Sequence, residues 1–315
     1  MEPQEKDRVR GCAVGSAVGD ALGMPLEFKR ANPPDQYVRE MQNGRLPAGS
    51  FTDDTEMALA LCDSLLQNRY VDASDLANRF LAWIKTGPPD VGIQTRRILN
   101  RIAAGLPWEL ASDKDLTVYP NASGNGSVMR CWPVALAWLD DSVQLRDVSR
   151  KQSRVTHPHA DCLAACVLVN TMISSLVHGA SLEESLEVGL DNAGPDEQFV
   201  EMIRSAPGRH PEELHNTGWV RHTIESAIWG LLTTGSFEDA LIKVINLGED
   251  ADTAGAVVGA LAGAAYGLNG IPTRWRNSLR GEWPVKSGRI RPEAYFINLA
   301  DDLSQSFTGE RISVF

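Results

Sequence analysis

Two short acidic strings carry the strongest chemical signal in this chain of 315 residues. Gly49-Ser50-Phe51-Thr52-Asp53-Asp54-Thr55-Glu56 and Gly248-Glu249-Asp250-Ala251-Asp252-Thr253-Ala254-Gly255 each place paired carboxylates and a threonine hydroxyl where a loop runs into a helix. Singly, each reads as a helix start, with Thr or Asp capping the N-terminus and acids favouring its dipole. Two adjacent aspartates flanked by threonines exceed what capping needs. Together, Thr52, Asp53 and Asp54 with Asp250, Asp252 and Thr253 make an all-oxygen ligand set of the kind that suits Mg2+ or Mn2+. Carboxylates gathered so closely repel one another unless a cation lies between them, and a bridging pair of ions would account for their number. Glu249 adds a further acid, either facing outward or tuning the affinity of the site.

The Asp-x-Asp-Thr string also suits an aspartyl phosphatase, but that chemistry wants it after a strand, and residues 240–247 read as helix. A third string, Asn121 to Arg130, includes Gly124, Asn125, Gly126 and Ser127. Its glycines free the backbone to turn amides toward an anion such as a diphosphate, with charge from Arg130. An ordinary Asn-Gly loop is the alternative. The fourth string holds His157, His159 and Asp161 ahead of an apolar helix. Zinc would need a second Cys/His cluster, so a helix start with one histidine facing a ligand is the better reading.

Helices must position these loops. Met57, Leu61 and Leu65 recur every four residues, as do Leu76, Phe80 and Ile84, with Ser74 as the expected N-cap. Helices are also expected over 161–176 and 219–232, and alternating strand patterns are scarce. Gly11, Gly15, Gly19 and Gly23 form one four-residue register, and Gly255, Gly259, Gly263 and Gly267 another. Each glycine costs a helix interior about 1 kcal/mol relative to alanine. Four in register make a smooth ridge on which another backbone can rest, so both helices are expected at the centre, one against the other. The runs are too short and interrupted for a membrane dimer, and 11–22 is broken by Asp20.

The chain reads as a single domain, 1–315, with a less defined C-terminal extension from about residue 270 whose basic stretch, 285–291, is placed to modulate substrate access. A net charge of −11 repels phosphate backbones, so general nucleic-acid binding is not expected. Five cysteines without a Cys-x-x-Cys pair suggest buried thiols in a reducing compartment. No signal-peptide core follows the charged N-terminus, so a cytoplasmic protein with no membrane partner is expected.

The strings GDALGMPLEF, FTDDTEMALAL, PPDVGIQTRR, GNGSVMR, VTHPHAD and GEDADTAG, in this order, resemble the ADP-ribosylglycohydrolase family, with its dinitrogenase reductase-activating members. The resemblance covers residues 19–255 and implies an all-α fold, a compact orthogonal helical bundle with two Mg2+ or Mn2+ ions in a central cleft. It implies that Thr52, Asp53, Asp54, Asp250, Asp252 and Thr253 are metal ligands, with Glu27 near the scissile bond and Asp53, Asp54 and Asp250 sharing the catalysis. Gly124, Asn125, Gly126 and Ser127 match the diphosphate loop and His157 the distal ribose and phosphate region. Trp219 matches an aromatic against adenine, and Asp90 the carboxylate of arginine-specific members. Each has an ordinary alternative: Glu27 a surface acid, Asp90 a helix cap, Trp219 a core aromatic.

The implied function is metal-dependent hydrolysis that removes ADP-ribose from a modified protein, at the N-glycosidic bond to arginine, with ADP-ribose as product. Serine- or nucleobase-linked ADP-ribose, a nucleotide phosphohydrolase and a non-catalytic ADP-ribose-binding or structural relative are the alternatives.

Overall fold

The computed structural model describes residues 1–194 and 196–307. Among them are α1 (Pro3–Gly23), α2 (Asp53–Asn68), α3 (Ala73–Lys85), α4 (Ile93–Ala103), α5 (Trp108–Val118), α6 (Trp132–Ala137), α7 (Ser142–Arg154) and α8 (Ala160–Val177). There follow α9 (Leu182–Ala193), α10 (Glu197–Ser205), α11 (Val220–Leu232), α12 (Phe237–Ile245), α13 (Ala251–Tyr266), α14 (Thr273–Arg276) and α15 (Glu293–Ser306). One small antiparallel ribbon pairs β1 (Gly281–Glu282) with β2 (Ile290–Arg291). The fold is all-α.

The two glycine ridges meet. Gly11, Gly15 and Gly19 of α1 rest on Gly263, Gly259 and Gly255 of α13, backbone on backbone and antiparallel. A Cβ on Gly19 would lie 1.9 Å from the Gly255 carbonyl oxygen, and one on Gly263 would lie 2.0 Å from that of Gly11. No larger residue fits. The propensity lost at each glycine is offset by close contact between helices that are buried on almost every side. α8, α11 and α12 pack on α13, and α15 packs on α1. The antiparallel pairing has a functional result. Gly23, at the end of α1, sits on Ala251, at the start of α13, so Glu27 and the Asp250–Thr253 string are delivered to the same place.

α2 begins at Asp53, inside the first acidic string. One helix start differs from expectation. α3 is capped by Asp72, not Ser74: an N-cap must be extended for its oxygen to reach forward, and Asp72 accepts from the amides of Ser74 (2.9 Å) and Asp75 (3.0 Å). Among the described residues, α8 alone is long and apolar enough to cross a membrane, and 67% of it is buried inside the protein. All five cysteines are free and buried. Trp275, Trp283 and Phe296 of the C-terminal segment belong to the same hydrophobic cluster as α1 and α13; residues 308–315 of the expected extension lie outside the described residues.

Candidate active site

Asp20 organises the first acidic string. It is fully buried in α1, where an unpaired carboxylate would be costly. Its oxygens accept from the Thr52 amide (3.0 Å), the Thr55 amide (3.1 Å) and the Thr55 hydroxyl (2.6 Å). Thr52 Oγ1 lies 2.8 Å from Asp20 Oδ1 and 2.9 Å from Asp54 Oδ2, so its one proton stands between two carboxyl groups. Thr52 caps α2 by position, yet its hydroxyl makes no cap hydrogen bond; the same holds for Asp250 at α13. Capping therefore does not account for either string.

Backbone pairing fixes the opposite wall. The Phe28 amide donates to the Glu249 carbonyl (2.7 Å), and the Glu249 amide to the Lys29 carbonyl (2.8 Å). Phe28 and Glu249 both hold positive φ, 60° and 55°, a conformation that costs an L-residue energy and here re-aims the chain at the site. The Glu249 carboxylate turns aside to accept from the Asn216 amide (2.9 Å). Glu27, Asp250 and Asp252 can bring one oxygen each within 4.8 Å of one another. Asp250 Oδ2 accepts from Asn125 Nδ2 (2.9 Å), which ties the metal-type cluster to the glycine-rich loop.

The electrostatics are those of carboxylates short of cations. Burial, then neighbouring acids, pushes Asp53, Asp54 and Asp252 well above the usual carboxylate range. Burial also raises Asp20 and Asp250, though hydrogen bonds oppose it. Glu56 is pushed up to about 7, chiefly by burial, against the bond it accepts from Trp83 Nε1 (2.7 Å). Asp54 Oδ1 is buried with no hydrogen-bond partner. A metal ion fits this donor set: hard oxygens, one of them unsatisfied, in a site where ionisation is unfavourable without a counter-charge.

A cavity of about 1150 Å³ runs from these acids to the glycine-rich loop. Asp53, Asp54, Asp90, Asp250, Asp252 and Thr253 line it with Glu27, and so do Gly124, Asn125, Gly126 and His157. Thr52 and Ser127 are buried behind it. The amides of Gly124 and Asn125 are already spent on Gln94 Oε1 (3.2 Å) and the Gly218 carbonyl (3.1 Å). Among the described residues, the Gly126 amide has no protein acceptor, which leaves one donor on the cavity wall for an anion, while Ser127 is fully buried behind it.

Arg130 does not supply charge to that anion. It is fully buried and donates to the Gly126 carbonyl (3.0 Å) and Thr156 Oγ1 (2.8 Å), propping the loop from behind. Thr156 Oγ1 accepts from Arg130 and lies 2.8 Å from His157 Nδ1; where it donates its proton there, the neutral imidazole carries its own on Nε2. Burial holds His157 well below its ordinary value, so it stays neutral. His159 instead caps α8 through the Asp161 amide. Trp219 caps α11 by position, is 39% exposed and pairs with Gly124 across an isolated bridge; its neighbours Thr217 and Gly218 line the cavity.

Two contributors were not singled out in the sequence. Asp20 had a signal, a lone acid inside an apolar glycine-ridged helix. Arg45 had none, since it sits in an irregular loop. Its Nη1 contacts Glu27 Oε2 and lies 2.8 Å from Asp90 Oδ2, while Nη2 lies 3.1 Å from Asp252 Oδ2.

A family model described as ADP-ribosylglycohydrolase matches residues 1–312. The chain belongs to the ADP-ribosylglycohydrolase family. It is a hydrolytic enzyme of that class. This glycohydrolase is 35% identical to the ADP-ribosyl-[dinitrogen reductase] glycohydrolase of Rhodospirillum rubrum, over 88% of this chain and 92% of the relative. It is 32% identical to the ADP-ribosylarginine hydrolase Tri1 of Pseudomonas putida (strain GB-1), over 86% of this chain and 74% of the relative. A solved ADP-ribosylglycohydrolase-related protein complex superposes with a TM-score of 0.82 at 33% identity, over 97% of this chain and 100% of that one.

Proposed function

We propose that this glycohydrolase cleaves the N-glycosidic bond between ADP-ribose and an arginine side chain of a modified protein, releasing ADP-ribose. The two relatives named for dinitrogen reductase and for ADP-ribosylarginine support the linkage. The observation that carries it is that the acceptor end of the site already fits a guanidinium: Arg45 Nη1 is shared by Glu27 and Asp90. A carboxylate pair there would hold a substrate guanidinium by charge-assisted hydrogen bonds.

In this reading Thr52, Asp53, Asp54, Asp250, Asp252 and Thr253 hold two Mg2+ or Mn2+ ions. Bound divalent ions would supply Lewis-acid polarisation of ribose hydroxyls and a more acidic water. The chain's own groups do the rest. The Gly124–Ser127 loop binds the diphosphate, with the Gly126 amide donating to it, and an Nε2–H on His157 donates to the distal ribose or phosphate. Trp219 lies against the adenine. Asp90 pairs with the guanidinium and keeps it protonated while the C–N bond breaks toward an oxocarbenium-like ribose. Glu27 takes a proton from the attacking water and returns it to the departing guanidine, so charge balances. The buried thiols suit a reducing compartment, and the cytoplasm is the location this reading assigns.

The test is release of ADP-ribose from an arginine-ADP-ribosylated protein with Mn2+ or Mg2+, repeated in EDTA. Metal-dependent release is expected. Turnover that survives EDTA would refute the metal assignment, and release only from serine-linked ADP-ribose would refute the linkage.

A further inference from the structure

Arg45 is placed where two cations of the proposed reaction would have to go. One arm reaches Asp252, a proposed metal ligand, and the other is shared by Glu27 and Asp90, the proposed acceptor pair. Among the described residues, no other basic side chain forms an ion pair with Glu27, Asp53, Asp54, Asp90, Asp250 or Asp252. The loop is built for this delivery. Gly44, the preceding residue, rests on the segment that ends at Glu27, and a Cβ there would lie 2.9 Å from both Met24 Sδ and Pro25 Cα. A turn closes the tip: the Gly44 amide donates to the Leu46 carbonyl (3.0 Å), and Asn43 Oδ1 accepts from the Ala48 amide (2.9 Å). The backbone is thus seated while the Arg45 arm is long and 26% exposed. The ring of Phe28, which is 81% exposed, has its centroid 6.0 Å from Arg45 Cζ, a cation–π perch at the edge of the site.

We infer that Arg45 is a tethered counter-ion that occupies the acidic site of the resting protein, and that it must leave Asp252 before a divalent ion binds and leave Asp90 before a substrate guanidinium is paired. The inference rests on the metal-dependent reading above. A site blocked for most of the time binds its ligand more weakly by the unblocked fraction, so Arg45 sets the apparent metal affinity. It also relieves repulsion among the carboxylates when no ion is present.

The experiment is Mn2+ titration by calorimetry of the full chain, without substrate, for the wild type, Arg45→Gln, Arg45→Lys and Arg30→Gln. Arg30 lines the same cavity but has no ion pair with these acids, so its variant reports the effect of charge alone. Arg45→Gln is expected to bind Mn2+ at least about fivefold more tightly, Arg45→Lys to fall between, and Arg30→Gln to change by less than about twofold. Unchanged or weaker binding in Arg45→Gln overturns the inference, as does an equal gain in Arg30→Gln. If no variant and no wild-type protein binds Mn2+, the metal reading fails, and this inference with it.

Discussion

Asp20 lies outside the proposed ligand set, yet four donor groups, the amides and hydroxyls of Thr52 and Thr55, converge on it. It is a positioning residue, since those bonds fix where Thr52, Asp53 and Asp54 stand. Asp20→Asn would present an amide donor to groups that are themselves donors. We expect Mn2+ affinity and kcat/KM to fall by about 10–100-fold, as for other groups that orient metal ligands. Unchanged Mn2+ affinity in a folded Asp20→Asn protein would refute the role. Asp90 separates differently. Asp90→Asn removes a charge from the acceptor pair and leaves the metal set intact, so kcat/KM on arginine-linked substrate should drop by about 10–100-fold. Affinity for the product ADP-ribose should hardly move. Equal losses of both would place Asp90 elsewhere in the reaction.

At the scale of elements, the ridge on α1 and α13 decides whether the two acidic strings face each other. Two effects compete at Gly19. Alanine would gain about 1 kcal/mol of helix propensity, but its Cβ would lie 1.9 Å from the Gly255 carbonyl oxygen. Backbone cannot yield as a flexible side chain can, and overpacking of this kind typically costs about 1–3 kcal/mol or more. Gly19→Ala should therefore lower the melting temperature, and its separation of the helices should weaken Mn2+ binding as well. A stabilised Gly19→Ala protein would show that the ridge is not a close contact. Farther along the chain, the β1–β2 ribbon does not reach the cavity with its basic side chains. Lys286 instead donates to the carbonyls of Thr86 (3.0 Å) and Gly87 (2.7 Å), bracing the loop that leads to Asp90.

For the molecule as a whole, the acidic centre links folding to pH and to metal. Asp53, Asp54 and Asp252 have pKa values raised well above the ordinary range, and Glu56 is raised to about 7. Between the ordinary carboxylate pKa and about 7, the folded protein holds protons that the unfolded chain has released, so these groups cost stability as pH rises. His157, held neutral by burial, works in the opposite sense below its ordinary value, but it does so with or without metal. The informative quantity is therefore the difference in melting temperature between Mn2+ and EDTA. It should widen as pH goes from 5 to 8, reaching roughly 5 °C or more at saturating Mn2+. A gap that stays flat or narrows would mean that the cation does not replace those protons.

The sequence by itself determined the helical class, the glycine ridges and their mutual contact, because periodicity and a repeated absence of side chains are local properties with one economical packing solution. It also marked both acidic strings, since paired carboxylates at helix starts exceed local need. Tertiary structure alone decided what each group does there. Whether Thr52 and Asp250 cap their helices depends on distant partners as well as near ones: Asp20 is 32 residues from Thr52, and Asn125 is 125 from Asp250. Arg130 could serve the anion or the core, and burial behind the loop made it core. Arg45 carried no mark in its own surroundings; only the fold of its loop onto Pro25 brings its charge among acids from three distant segments. Charge pairing is set by distance in space, and a sequence records distance only along the chain.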